Sequence, residues 1–210
     1  MSKKKIAVLV SGGGTNLQAL IDAQKRGELG SGEITCVIAS NPEAYALKRA
    51  EQNGIKTKVL VRKDFADISS YSKAMRDLLI DEGADLVVYA GFMTILDHNV
   101  CDAFENRMIN VHPALIPSFC GKGFYGLHVH EAALKKGVKV SGATVHFVTA
   151  ECDAGPIILQ KAVEVLDGDT PETLQRRIME QAEWKILPRA VKLFCEGKIT
   201  VKDGKTQISE

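Results

Sequence analysis

No stretch of the 210 residues approaches the roughly 18 consecutive apolar residues of a membrane helix. The start, Met-Ser-Lys-Lys-Lys-Ile-Ala-Val-Leu-Val-Ser, has the charges of a signal peptide, but its apolar run is too short and passes straight into glycines. A soluble, cytoplasmic protein with no membrane partner is expected. An excess of either charge is missing too: 27 lysines and arginines face 26 aspartates and glutamates, a formal charge of +1. That balance leaves no basic field for nucleic acid and points to small molecules as partners. The five cysteines, Cys36, Cys101, Cys120, Cys152 and Cys195, are odd in number and contain no C-x-x-C pair. Neither a disulfide framework nor a zinc cage fits them, so reduced thiols and no metal are expected. Repeats, linkers and low-complexity tracts are lacking as well. With 45% hydrophobic and 25% charged residues, the chain suits one sizeable core, a single domain over residues 1–210, as a monomer or a homodimer.

What is present centres on Arg107-Met-Ile-Asn-Val-His-Pro-Ala-Leu-Ile-Pro117. Met108 to Val111 is a short apolar run bounded by Glu105-Asn106-Arg107 and by Pro113, which reads as a buried strand that ends abruptly. Strand alternation puts Asn110 and His112 on one face and Ile109 and Val111 on the other. Pro113 biases His112 toward extended backbone and Pro117 ends the following turn, giving the pair a stiff support. An amide donor beside an imidazole suits a reaction that passes through an oxyanion and moves a proton. The blander alternative is a strand-end cap with a half-buried histidine bonded to backbone.

Lys5 to Val10 is another apolar run, followed by Ser11-Gly-Gly-Gly-Thr-Asn16 and the helical pattern Leu17, Leu20, Ile21. Glycines let backbone approach a ligand closely, and the helix start offers unpaired N–H groups to an anion, so the loop is a phosphate candidate. It does not match the dinucleotide pattern G-x-G-x-x-G, because Leu17 stands at the third glycine, and it lacks the Gly-Lys-Ser/Thr of a P-loop. After the next strand, Cys36 to Ser40, Ser40 and Asn41 occupy the place of a ribose-binding acid. A single phosphate therefore fits better than a dinucleotide. The alternative is a tight turn with Thr15 or Asn16 capping the helix.

A helix over Glu43 to Asn53, a strand near Lys56 to Leu60, a helix from Ser69 to Glu82 and a buried strand over Ala84 to Ala90 follow. This alternation predicts an α/β fold with a mainly parallel central sheet, helices on both faces, and ligands gathered at the carboxyl ends of strands. The Ser11 loop, the Gly91 loop and His112 all fall at such ends. The apolar Phe92 to Leu96 segment can receive a flat heterocycle or simply plug the sheet edge. Cys120 to Gly126 reads as a mobile cover or a surface excursion, and Cys120 and Cys152 are candidate nucleophiles that would need a partnering base. His128, His130 and Glu131 open a helix to about Lys136, and a spacing of two argues against metal ligation by the two histidines. In the strand Val138 to Val148, Thr144 and His146 share a face. Asp153, in the loop before the strand Ile157 to Val165, is positioned to approach His112 and to raise its pKa. Thr170 and Pro171 start a long helix that Pro188 is predicted to kink, with Glu180 and Glu183 near each other one turn apart; the blander alternative for that pair is a solvated face. Lys198 to Val201 and Thr206 to Ile208, around Asp203-Gly204, form a weak hairpin signal.

Ser11-Gly-Gly-Gly-Thr-Asn16, Ala90-Gly-Phe-Met-Thr-Ile-Leu96, Ile109-Asn-Val-His-Pro-Ala-Leu-Ile-Pro117 and Ser141-Gly-Ala-Thr-Val-His-Phe-Val148 through Asp153-Ala-Gly-Pro-Ile157 carry a resemblance in their order and spacing. Together they resemble the phosphoribosylglycinamide formyltransferases of purine biosynthesis, over nearly the whole chain. The resemblance implies a Rossmann-like formyltransferase fold, 10-formyltetrahydrofolate as co-substrate and the glycinamide amine of a ribose 5-phosphate as acceptor. It assigns Asn110 to polarise the formyl oxygen, His112 to give and take protons, and Asp153 to raise the histidine's pKa. By the same likeness Gly14, Thr15 and Asn16 hold the acceptor's phosphate and Glu183 contacts its sugar or glycinamide end. Met93, Thr94, Ile95, Leu96 and Lys63 border the folate, together with Asn110.

The Cys120 to Gly126 segment departs from the family by being longer and richer in glycine, so no contacts are carried over to it. Methionyl-tRNA formyltransferase and formyltetrahydrofolate hydrolase share the Asn-x-His and Asp elements, but they should carry an RNA-binding and a regulatory domain respectively, and the chain has room for neither. A nucleotide-dependent oxidoreductase is disfavoured by the glycine loop and the missing acid. A non-catalytic phosphosugar-binding module would keep Gly12 to Asn16 with no need for Asn110, His112 and Asp153.

Overall fold

A computed structural model describes residues 3–209. Its central sheet is built from β1 (Lys4–Val10), β2 (Gly32–Ala39), β3 (Lys56–Val59), β4 (Leu86–Tyr89), β5 (Met108–His112), β6 (Val140–Phe147) and β7 (Ile157–Glu164). They lie side by side in the order β3-β2-β1-β4-β5-β6-β7. The first five are parallel, and β6 and β7 run antiparallel to their neighbours. Helices α1 (Thr15–Lys25), α2 (Tyr45–Gln52), α5 (Leu127–Lys136), α6 (Pro171–Ile178) and α7 (Trp184–Cys195) cover one face, and α3 (Ile68–Asp81) and α4 (His98–Ala103) cover the other. A terminal hairpin joins β8 (Ile199–Lys202) to β9 (Lys205–Ile208), as its weak sequence signal suggested. No helix among the described residues is long and apolar enough to cross a membrane.

The apolar runs are strands because both faces are buried. Ile6, Val8 and Val10 pack under α1 and α7, whereas Ala7 and Leu9 pack under α3. Each such aliphatic side chain contributes about 1.5–3 kcal/mol on leaving water, so the alternation is strongly enforced. In β5 the same period sends Ile109 and Val111 to the first layer and Met108 to the second. Asn110 and His112 therefore follow Met108, and they emerge together at the carboxyl end. Thr144 of β6 fixes the segment beyond them: its Oγ1 donates to the Ala114 carbonyl at 2.7 Å and accepts from Ile116 N–H at 3.1 Å. Gln160 Nε2 adds a bond to the Ile116 carbonyl at 2.9 Å. The stiff support thus comes from β6 and β7 as well as from the prolines.

Three elements differ from the sequence reading. Helix α4, six residues long, is too short to show an amphipathic period; Asp97 caps it by accepting Asn99 N–H at 3.1 Å. Helix α2 begins at Tyr45, because Asn41 and Glu43 are tied in a turn by Asn41 Oδ1 and Glu43 N–H at 3.0 Å. Pro188 lies inside α7, and the irregularity in the long helix is a π-helical turn, Met179–Glu183, directly ahead of α7. Such a turn widens the coil by one residue and re-aims the side chains that follow. Thr170 caps α6 with Pro171 at its first turn, as expected.

Gly155 turns the loop after β6 back on the strand so tightly that a Cβ there would stand 1.9 Å from the Phe147 carbonyl oxygen. Gly155→Ala should cost about 1–3 kcal/mol through overpacking and lower the melting temperature by roughly 2–12 °C, read by calorimetry. His130 on α5 is fully buried, and neither ring nitrogen meets a partner among the described residues. Burial pushes its pKa down to about 4, with His112 pushing the same way. The unfolded chain binds that proton below about pH 6.5, so stability is lost as pH falls from there toward 4. His130→Leu should flatten the decline of melting temperature across that window; an unchanged decline would assign it to other groups.

Candidate active site

The antiparallel register of β5 and β6 sets Asn110 opposite His146 and His112 opposite Thr144. Asp153 reaches them from the loop after β6, with a left-handed backbone (φ 55°) that few residues other than glycine adopt. Its carboxylate joins the cluster. Oδ1 lies 3.5 Å from Asn110 Nδ2 and 3.6 Å from His146 Nε2. Oδ2 lies 3.5 Å from His112 Nδ1 and accepts Gly121 N–H at 2.9 Å. Burial pushes the Asp153 carboxyl up, but the His146 contact, His112 and the Gly121 N–H outweigh it and hold the pKa at about 2. A buried negative charge is thus fixed at the floor of the site.

A carbonyl only accepts, so each histidine nitrogen that faces one carries the hydrogen. His146 Nδ1 donates to the Phe147 carbonyl at 2.8 Å, which leaves Nε2 to accept from Asn110 Nδ2 at 3.1 Å. The second amide hydrogen of Asn110 has only the 3.5 Å contact with Asp153, at the edge of hydrogen-bond range. It is the one free for an incoming oxygen. His112 Nε2 donates to the Phe119 carbonyl at 2.8 Å, and the ring is 4% exposed. The expected rise of the His112 pKa is not found: burial lowers it by more than Asp153 and the Phe119 carbonyl raise it. The carboxylate acts in the expected direction and is outweighed. At neutral pH the ring rests uncharged.

These groups floor a cavity of about 420 Å³ that opens at the carboxyl ends of β1, β4 and β5. Thr15, Asn16 and Glu183 line one part of it, and Met93, Thr94, Ile95 and Leu96 another. The two parts are joined through Ser11, whose Oγ accepts Met93 N–H at 3.0 Å and lies 2.7 Å from Ser40 Oγ. Gly14 is the N-cap of α1, next to the lining residue Thr15, and the helix has no side-chain cap from Thr15 or Asn16. Lys63 is exposed on a short 3-10 turn, Arg62–Asp64, outside the cavity wall. Glu183 is not on a solvated face: the π-helical turn buries it, while Glu180 stays exposed. Asn16 Nδ2 donates to Glu183 Oε2 at 2.7 Å, and burial pushes the carboxyl up to about 7.

Sequence reasoning missed three contributors. His146 shared a face with Thr144, a visible signal, but its partner across the register was not. The Phe119 carbonyl and the Gly121 N–H come from the glycine-rich segment, whose backbone contacts leave no pattern in residue type. Neither thiol is an activated nucleophile. Burial and the Asp153 charge raise the Cys120 pKa and push Cys152 up to about 11, which keeps both protonated.

The formyl transferase family matches residues 4–191. Phosphoribosylglycinamide formyltransferase of Haemophilus influenzae is 40% identical over 96% of this chain and 92% of its own length. The crystal structure of glycinamide ribonucleotide transformylase 1 from Symbiobacterium toebii shares 41% identity and superposes with a TM-score of 0.93, covering 99% of this chain and 95% of that one. A formyltetrahydrofolate deformylase from Pseudomonas syringae pv. tomato is also similar, with a TM-score of 0.88 and 29% identity, but this chain covers 67% of it. On the family match and the near-complete coverage of these relatives, the chain belongs to the formyl transferase family.

Proposed function

We propose that the enzyme transfers the formyl group of 10-formyltetrahydrofolate to the glycinamide amine of N1-(5-phospho-D-ribosyl)glycinamide, a step of purine biosynthesis that makes IMP. The observation that carries this reading is the convergence of Asn110, His112 and Asp153 at the floor of one cavity. A phosphate suits the Gly14, Thr15 and Asn16 end, where first-turn N–H groups of α1 lack helical partners. The apolar Met93 to Leu96 wall suits the flat folate, and Glu183 suits the acceptor's sugar or glycinamide end.

The chemistry follows from which groups hold protons. The neutral amine attacks the formyl carbon, and the oxygen that gains charge is met by the available hydrogen of Asn110 Nδ2. His112, uncharged at rest, gives up the Phe119 carbonyl, carries its hydrogen on Nδ1 toward Asp153, and with Nε2 thus unprotonated takes the amine's proton there and passes it to the folate nitrogen. Asp153 stabilises the imidazolium that forms in passing. The bond between that nitrogen and the formyl carbon then breaks, releasing tetrahydrofolate and the formylated acceptor. His146 orients Asn110 through the 3.1 Å contact.

Mixing the protein with both substrates should yield tetrahydrofolate and formylated acceptor in equal amounts. Tetrahydrofolate released without acceptor would instead favour a hydrolase like the similar deformylase. Asn110→Ala and His112→Ala should fold normally yet slow single-turnover formyl transfer by about two to four orders of magnitude. Turnover like that of the wild type in either variant would remove its role.

A further inference from the structure

Arg49 of α2 does not line the cavity, yet it grips the triple-glycine turn from behind. Its Nε donates to the Gly13 carbonyl at 2.8 Å and its Nη1 to Gln18 Oε1 at 3.1 Å, while the guanidinium carbon lies 5.0 Å from the Tyr45 ring centroid. On the same helix, Ala46 N–H donates to the Gly12 carbonyl at 3.1 Å. Two successive carbonyls of the turn are therefore drawn toward α2. In a trans peptide the C=O and the following N–H point in opposite directions. The N–H groups of Gly13 and Gly14 are thus turned away from α2, and neither bonds to protein among the described residues.

The turn has little slack against the helix. A Cβ on Gly14 would lie 2.6 Å from Ala46 Cβ, and its φ of 71° is one that glycine adopts without strain. The Gly13 peptide, by contrast, has no side chain to restrain its rotation, and a Cβ there would meet nothing within 4 Å. Its orientation depends on the hydrogen bond from Arg49.

We propose that Arg49 is a positioning residue for the acceptor's phosphate: it holds the glycine turn so that the Gly13 and Gly14 N–H groups are presented together as an anion site. The inference rests on the assignment of that phosphate to this turn. Arg49 acts through the backbone rather than as a countercharge. Glutamine and lysine separate the two, because Gln Nε2 lies as many bonds from the main chain as Arg Nε, whereas lysine carries charge with carbon at that position.

The test measures binding of ribose 5-phosphate by calorimetry, and KM for the phosphorylated acceptor and for its dephosphorylated riboside, in the wild type and in Arg49→Ala, Arg49→Gln and Arg49→Lys. Losing a hydrogen bond from a charged group should weaken ribose 5-phosphate binding and raise KM for the phosphorylated acceptor by about 10- to 100-fold in Arg49→Ala. The KM for formyl-folate and the kcat should stay within about twofold, and the riboside should show no difference between variant and wild type. Arg49→Gln should recover most of the loss and Arg49→Lys little. Recovery by lysine alone, equal losses with and without the phosphate, or unchanged ribose 5-phosphate binding in Arg49→Ala would each overturn the proposal. If the wild type binds ribose 5-phosphate and the alanine variant does not, but neither transfers formyl, the positioning role stands and the formyl-transfer reading falls.

Discussion

A single buried carboxylate organises the site. Asp153 brings Asn110, His112, His146 and the Gly121 N–H to one pair of oxygens, although they come from two strands and two loops. The Gly121 N–H meets one of the carboxylate's oxygens directly, and Asn110 and the two histidine rings stand around the pair at 3.5–3.6 Å. Burial, reinforced by the Asp153 charge, keeps Cys120 and Cys152 as thiols, and the charge opposes the burial that would otherwise drive the His112 pKa still lower. The left-handed backbone of Asp153 lies two residues before the tight return of the loop at Gly155.

Around this centre, the parallel sheet does what such sheets do generally, which is to collect loops at the carboxyl ends of strands. Ser11 links the loop after β1 to the loop after β4, so the proposed phosphate and folate ends share one hydrogen bond. Glu183 closes the other side through Asn16, and its raised pKa lets it hold or release a proton near neutrality. The Phe119 carbonyl occupies His112 Nε2, so the segment over the site must yield that hydrogen bond whenever the ring meets substrate.

Much of this was legible in the chain because burial on both faces writes itself into composition. The runs 5–10, 84–90 and 108–111 read as strands for that reason, and period two alone put Asn110 beside His112. Thr170-Pro171 announced its helix because a cap is a local device. What stayed hidden is either non-local or energetic. The pairing of Asn110 with His146 depends on antiparallel register across 36 residues. The net direction of the His112 shift depends on how deeply the fold buries the ring, a quantity no local pattern encodes. Glu183 looked solvated because a regular helix would have kept it beside Glu180, and a π-helical turn leaves no reliable residue signature. Lys63 was assigned to the folate by the resemblance alone, and the structure leaves it exposed on a short 3-10 turn.

The central claim is that Asp153 supports a His112 ring that burial keeps neutral. Nitrogen-15 NMR titration of the histidines in the wild type and in Asp153→Asn tests it most directly. His112 should titrate below its ordinary value of 6.5 in the wild type, and lower still once the Asp153 charge is gone. A wild-type midpoint above that value, or one that the substitution leaves unmoved, would contradict the account.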